Sequence, residues 1–323
     1  MFNNEAQPLV SAVIITHNRK KLAERAINSV LGQTYSNIEC IVIDDKSDDG
    51  TQEYLKSKFT NKIMYHYIPP DSSKGGNHAR NIGISLASGN YIAFLDDDDI
   101  WLRHKIERQV QAFSRNRKIG MVYCLRFFCY KNKYCWTEGR DEDTVGDVSK
   151  TVFKKIITST STMMFDIDAI RNIGGFDENL SCWQETELMM RFCQNYKIDC
   201  VDEQLILYTV DITDPERLSN KFDNFEKSIN YIENKYSKLI KGFSDDENKD
   251  WIFMKYKDAI SRAGSKVLMR EYYERAYAIK PSKGLKIKKI LNYKPTSKIA
   301  LKIRMCLSLA GLNGHFVLDS MNE

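Results

Sequence analysis

Residues 91–99 read YIAFLDDDD. A short, mostly apolar run that breaks into four carboxylates has the pattern of a buried strand ending in a polar loop. The same pattern recurs upstream. IECIVIDD at 38–45 ends in two carboxylates, VSAVIIT at 10–16 runs into HNR, and KIMYHYI at 62–68 leads into the polar loop PPDSSKGGN. Between these runs the period changes. KKLAERAINSVLGQ places Leu22, Ala26, Ile27, Val30 and Leu31 on one helical face, and TQEYLKSKF and HARNIGISLAS also read as helices. Strands alternating with helices predict an α/β fold built on an open, mostly parallel sheet. Ligands of such sheets sit at the carboxyl ends of the strands. His17, Asp44, Asp45 and Asp96 to Asp99 all fall at such ends, which predicts one site.

Downstream, IWLRHKIERQVQAF reads as an amphipathic helix, with strands expected near MVYCLRFFCY and STMMF. GGFDENL is a turn and QETELMMRFCQ a helix. Beyond about residue 220 the pattern is helical and polar, which places a domain boundary near 225: a 1–225 α/β domain and a 226–323 helical, basic extension. The 323 residues, 42% hydrophobic and 11% aromatic, suit a globular protein and exclude a disordered one. The opening MFNNEAQPLV lacks the basic and apolar regions of a secretory signal, and no apolar run nears the roughly 20 residues of a membrane span. Eight cysteines without a C-x-x-C pair read as buried thiols of a reducing compartment rather than a zinc site. The expected location is cytoplasmic.

Carboxylates crowded after a buried strand need a cation beside them. Hard oxygen ligands suit Mg²⁺ or Mn²⁺, which can bridge two phosphates and neutralise charge developing on a departing diphosphate. The plainer alternative is a solvated acidic turn.

The chain resembles the family 2 glycosyltransferases, an inverting group of GT-A fold that builds many bacterial surface polysaccharides, including capsule and lipopolysaccharide. The matching segments are VSAVIITHNR, AINSVLGQTYSNIECIVIDDKSDDGT, ARNIGISLASGNYIAFLDDDDIW, IGGFDENL and QETEL, in family order across about residues 10 to 220. The resemblance implies a nucleotide-sugar donor whose base lies near Thr16, His17 and Asn18. Asp45 would accept a hydrogen bond from that base, with Asp44 beside it, and a carboxylate facing an imide N–H suits uracil. Lys74 and Arg80 become candidates to meet phosphate or to buttress the aspartates. The D-x-D element falls on Asp96, Asp97 and Asp98, with Asp98 on the metal and Asp96 or Asp97 toward the ribose or a metal water. Asp99 would cap a helix starting at Ile100. The general base of relatives maps to Glu185, where the family usually has Asp; Glu187 is its reserve, and Trp183 could wall the acceptor sugar. Where relatives carry a late histidine, LYTVDITDPERLSN offers only Asp211, with Arg217 and Ser219 to close over the diphosphate.

Other classes fit less well. A sugar nucleotidyltransferase should carry a Gly-rich basic loop after the first strand, where this chain has THNRKK. A non-catalytic partner subunit has no reason to keep both the aspartates and Glu185. From Arg275 to Leu318 there are ten Lys or Arg and no Asp or Glu, so the rest carries 38 basic against 43 acidic residues. No aromatic platform accompanies this tail, which argues against nucleic acid. Its SKIALKIRMCLSLAG segment sets Lys298 and Lys302 beside an apolar stripe of Ile299, Ile303, Leu307 and Ala310. Such a stripe could meet an anionic membrane surface and a lipid-linked saccharide acceptor, or pack on protein.

Overall fold

The computed structural model describes residues 7–116, 118–130, 134–137, 139–210, 222–263 and 265–282. The first half alternates as expected: β1 (Val10–Thr16), α1 (Lys20–Leu31), β2 (Ile38–Asp45), α2 (Thr51–Lys58), β3 (Met64–Ile68), α3 (Gly76–Leu86) and β4 (Tyr91–Asp96). β1 pairs in parallel with β2 and β4, and β2 with β3. Four carboxyl ends therefore share one edge of the sheet.

The second half widens this sheet in mixed directions through β5 (Ile100–Trp101), α4 (Lys105–Arg115), β6 (Ile119–Tyr130), β7 (Tyr134–Thr137), β8 (Met164–Asp166), α5 (Ile167–Asn172), α6 (Gln184–Phe192) and β9 (Lys197–Thr209). Helices α7 (Phe222–Lys235), α8 (Ser237–Lys241), α9 (Asp245–Arg262) and α10 (Lys266–Ile279) follow. The strand order is β3-β2-β1-β4-β8-β6-β9-β5, with β7 paired to β6.

Alternation along the strands sorts the core onto two faces. Val13, Ile41, Ile43 and Phe94 pack with residues of α3, α5 and α6, while Ala12, Ile14, Val42 and Leu95 pack with α1 and α4. Phe225, Ile229 and Ile232 of α7 and Trp251 and Met254 of α9 belong to the first of these clusters. The boundary expected at 225 thus falls inside α7, whose apolar face completes the core of the sheet. No helix among the described residues is long and apolar enough to cross a membrane.

Two local expectations are corrected. Ile100 and Trp101 form a short strand on β9 rather than the start of a helix, and the helix begins at Lys105. The indole explains this: Trp101 is buried, and its Nε1 donates to the Ser161 carbonyl at 2.9 Å. The second concerns cysteines. Cys129 and Cys135 oppose each other across the β6–β7 hairpin and form a disulfide, whereas Cys40, Cys124, Cys182 and Cys193 are buried free thiols. A six-residue separation gives no hint of pairing until a hairpin sets the register.

Lys105 is wholly buried at the start of α4, its Nζ 3.7 Å from the Trp101 ring centre and without a hydrogen-bond partner. Burial pushes its ammonium down to about 7, with only Cys124 opposing. Between about pH 7 and the ordinary 10.5 the unfolded chain binds more protons at this site than the folded one, so stability rises with pH across that window. Lys105→Met removes the buried charge. Thermal denaturation should show a stabilisation that is largest at or below about pH 7 and shrinks toward pH 10; a gain independent of pH would contradict it.

Candidate active site

The turns after β1 and β2 are tied together by polar contacts. Asn18 and Asp48 exchange hydrogen bonds, Nδ2 to Oδ1 and amide to Oδ1, both at 2.8 Å, and the Asn18 amide donates to Ser47 Oγ at 2.8 Å. Asn18 and Lys46 both sit at positive φ, 52° and 60°, a conformation non-glycine residues adopt when surroundings fix it. His17 is exposed, and its Nδ1 lies 2.7 Å from the Asp45 carbonyl. The Asp45 Oδ1 is buried with no hydrogen-bond partner. An unsatisfied carboxylate oxygen beside an open strand end is an acceptor waiting for a donor.

The aspartates after β4 are held one by one. Asp96 receives Arg80 Nη2 at 2.6 Å. Asp97 is buried, receives Thr16 Oγ1 at 2.7 Å and pairs with Arg19 Nη1 at 3.3 Å. Burial, with the Asp98 charge beside it, pushes the Asp97 carboxyl up to about 7. The half-buried Asp98 is fixed through its backbone carbonyl, which accepts from Arg25 Nη2 at 2.7 Å and from Thr209 Oγ1.

Helix α3 connects this acidic corner to the second carboxylate group. Besides Arg80 it carries Asn77, whose Nδ2 donates to the Asp177 and Leu180 carbonyls at 2.8 and 2.9 Å. Asn81 exchanges hydrogen bonds with the Phe176 backbone at 2.8 and 2.9 Å. The GGFDENL turn is thereby clasped, and Gly175 is required there: its φ is +69° and a Cβ would lie 2.5 Å from Asn81 Oδ1. The clasp sets the entry to α6, which begins after Trp183 in a left-handed conformation. Glu185 occupies the first turn of α6, where the helix dipole favours an anion. Its carboxylate makes no hydrogen bond to another side chain among the described residues. Burial raises its proton affinity above the ordinary carboxylate; its own amide, Arg262 and Arg80 oppose, and Asp96 reinforces. Arg80 and Asp96 therefore lie within electrostatic reach of Glu185, which brings both carboxylate groups to one place.

The model of the family described as Glycosyl transferase family 2 matches residues 11–173. This chain belongs to that family. An uncharacterised glycosyltransferase of Methanocaldococcus jannaschii is 28% identical over 63% of this chain and 71% of its own. The Escherichia coli UDP-Glc:alpha-D-GlcNAc-diphosphoundecaprenol beta-1,3-glucosyltransferase WfaP is 38% identical over 39% of this chain and 46% of its own length. Among solved structures, the mannosyltransferase PcManGT from Pyrobaculum calidifontis in complex with GDP-Man and Mn²⁺ superposes with a TM-score of 0.58 at 15% identity, over 95% of this chain and 87% of that one. S. aureus TarS 1–349 in complex with UDP-GlcNAc gives 0.55 at 14%, over 91% and 92%. At such identities the likeness establishes the fold, which is the GT-A type.

Within this family 2 fold the expected site residues divide into two groups. Asp45, Asn18, His17, Asp96, Asp97, Asp98, Arg80 and Glu185 line one end of the sheet. Lys74 is exposed in the loop before α3, beside Glu178. Others have tasks inside the protein. Asp44 is buried and holds its own turn, accepting from the Ser47 amide at 2.9 Å and from Tyr65. Thr16 spends its hydroxyl on Asp97. Asp99 caps no helix: it is buried, accepts from the Thr209 amide at 2.8 Å, and burial raises its carboxyl well above the ordinary range. Trp183 lies in the core against Phe225 and Trp251 and donates Nε1 to Asp258 at 2.6 Å, so it walls no open acceptor site. Asp211, Arg217, Ser219 and the tail from 283 onward lie outside the described residues. Sequence reasoning missed Arg19, Arg25 and Ser47; the basic residues directly after THN were the available signal for Arg19.

Glu187 is 0% exposed and saturated by Arg191 (2.7 and 2.9 Å), Lys235 Nζ (2.7 Å) and Tyr236 hydroxyl (2.8 Å). Those partners hold its carboxyl below the ordinary range against the effect of burial. With no lone pair facing solvent it joins α6 to α7 and is not placed as a base. Glu187→Gln leaves buried cations short of their counter-charge, a change that costs about 3–5 kcal/mol. The expected result is a large drop in denaturation midpoint; a wild-type midpoint would refute the buried network.

Proposed function

We propose that this chain is an inverting glycosyltransferase that moves a sugar from a UDP-linked donor to a hydroxyl of a saccharide acceptor, in the assembly of a surface polysaccharide. The observation that carries the reading is Glu185: a carboxylate without a side-chain partner, facing the Asp96–Arg80 pair at the carboxyl edge of the parallel strands. Inversion needs a base on the acceptor side and a stabilised leaving group opposite. Glu185 removes the acceptor hydroxyl proton as its oxygen bonds to the anomeric carbon and the bond to the diphosphate breaks. Burial makes this carboxylate a stronger base than an exposed one, and places the acid limb of activity above the usual carboxylate range.

Asp45 supports the uridine assignment, because its unpartnered Oδ1 can accept from the uracil imide. Among the described residues no three His, Cys, Asp or Glu converge as a ready-made metal cage. Mg²⁺ and Mn²⁺ suit one or two carboxylates with substrate phosphates completing the shell, a donor set that Asp98 and its neighbours provide. A bound ion there would neutralise charge on the departing diphosphate. The names of the Escherichia coli relatives WfaP and WfgD, each a glucosyltransferase acting on GlcNAc linked to diphosphoundecaprenol, support a lipid-linked acceptor.

Glu185→Gln should bind UDP like wild type while transfer falls about 10²–10⁴-fold, the usual cost of losing a general base. Transfer at the wild-type rate would move the base elsewhere. Calorimetry with Mn²⁺ should give tighter binding of UDP than of GDP, with the advantage of added metal lost in EDTA and in Asp98→Ala. Metal-independent UDP binding by both proteins would remove Asp98 from the metal.

A further inference from the structure

The largest cavity of the described structure, about 800 Å³, does not lie at the donor end of the strands. It opens between β6, the 139–144 and 154–158 segments, and helices α9 and α10. Its lining carries five cations, Arg126, Arg140, Lys154, Lys155 and Lys257, against two carboxylates, Asp141 and Asp258. Both carboxylates are committed. Asp141 is bound to Lys155 at 2.8 Å, while Asp258 accepts from Arg262 and from Trp183 Nε1, each at 2.6 Å. Among the described residues Lys154 and Lys257 make no hydrogen bond or ion pair, and Arg126 only rests on the Phe128 and Tyr208 rings, 4.7 and 5.2 Å from their centres. Like charges gathered in a cavity repel one another and gain stability from an anion between them. Apolar surface from Phe253 and Ile156, the latter 41% exposed, adjoins them.

The cavity is contiguous with the proposed chemistry. Asp258 and Arg262 form its inner wall, and Arg262 is the side chain with the largest electrostatic effect on Glu185. An acceptor presenting its hydroxyl to Glu185 thus has the rest of its length directed along α9 into this basic space. We propose that the cavity seats the diphosphate of the acceptor, with Arg126, Lys154 and Lys257 as its principal counter-charges. The acceptor class is then a saccharide carrying a diphosphate, its lipid chain running out over the apolar rim. This rests on the glycosyltransferase reading, and it locates a second anion site apart from that of the donor.

The test uses the full chain with the donor site filled by UDP and Mn²⁺. Three probes are titrated: inorganic pyrophosphate, a short-chain alkyl diphosphate of N-acetylglucosamine, and the neutral alkyl glycoside of the same sugar. The alkyl diphosphate should bind most tightly, and Lys154→Ser with Lys257→Ser should weaken it roughly tenfold per lost charged contact. UDP affinity reports folding of the variant. Equal affinity of variant and wild type, or a neutral glycoside that binds as well as the diphosphate, would overturn the assignment. Pyrophosphate binding as tightly as the alkyl diphosphate would also overturn it, in favour of a site for free phosphate. Hydrolysis of UDP-sugar in water, measured separately, tests the glycosyltransferase reading itself: its absence sinks that reading without altering the cavity's affinities.

Discussion

The site depends on one cation. Arg80 is 5% exposed, bonds Asp96 at 2.6 Å and acts electrostatically on Glu185. A guanidinium so buried must be paired, and its pairing fixes where β4 can end relative to α3. From the same helix, Asn77 and Asn81 hold the turn that feeds α6. Helix α3 is therefore the common reference for the carboxylates at the donor end and the carboxylate proposed as base. Its seat on the sheet is close, since a Cβ on Gly83 would lie 2.4 Å from Val13 Cγ1. Any added methyl there would lift Arg80, Asn77 and Asn81 together.

Glu187 provides the counterpart on the other side of α6. Together with Asp177, which receives Lys235 and Tyr231, it links the α6 entry to α7. Partnered buried charges fix orientation even where they add little net stability. The aromatic contacts of Trp183 with Phe225 and Trp251 continue the same junction. The helices after residue 222 thus form the back wall of the site, and they also enclose the basic cavity.

The two proposed anion sites differ in how their charge is organised. At the strand ends the protein presents aspartates with arginines behind them, which suits a cation and the phosphates it bridges. Along α9 it presents lysines with carboxylates already neutralised by neighbours, which suits an anion alone. Glu185 stands between them, at the start of a helix whose dipole favours its charge.

Much of this was legible in the sequence, because period and composition report burial directly. Runs such as VSAVIIT and YIAFL have no polar alternation, so they had to be strands covered on both faces, and carboxylates breaking those runs had to fall at their ends. The family motifs placed Asp45, Asp96, Asp98, Arg80 and Glu185 in the same region. What the sequence left undecided was the task of each polar residue, because a carboxylate in a motif reads the same whether it faces a ligand or a neighbour. Asp44, Asp99 and Glu187 were equal candidates until long-range partners claimed them: the Tyr65 hydroxyl, the Thr209 amide and Lys235. Likewise Trp101 reads as helical locally and is drawn into a strand by its pairing with β9. The cross-hairpin disulfide and the basic cavity also depend on register and on helices arriving from far along the chain. Local chemistry sets which residues can act, and only tertiary contacts decide which of them remain available.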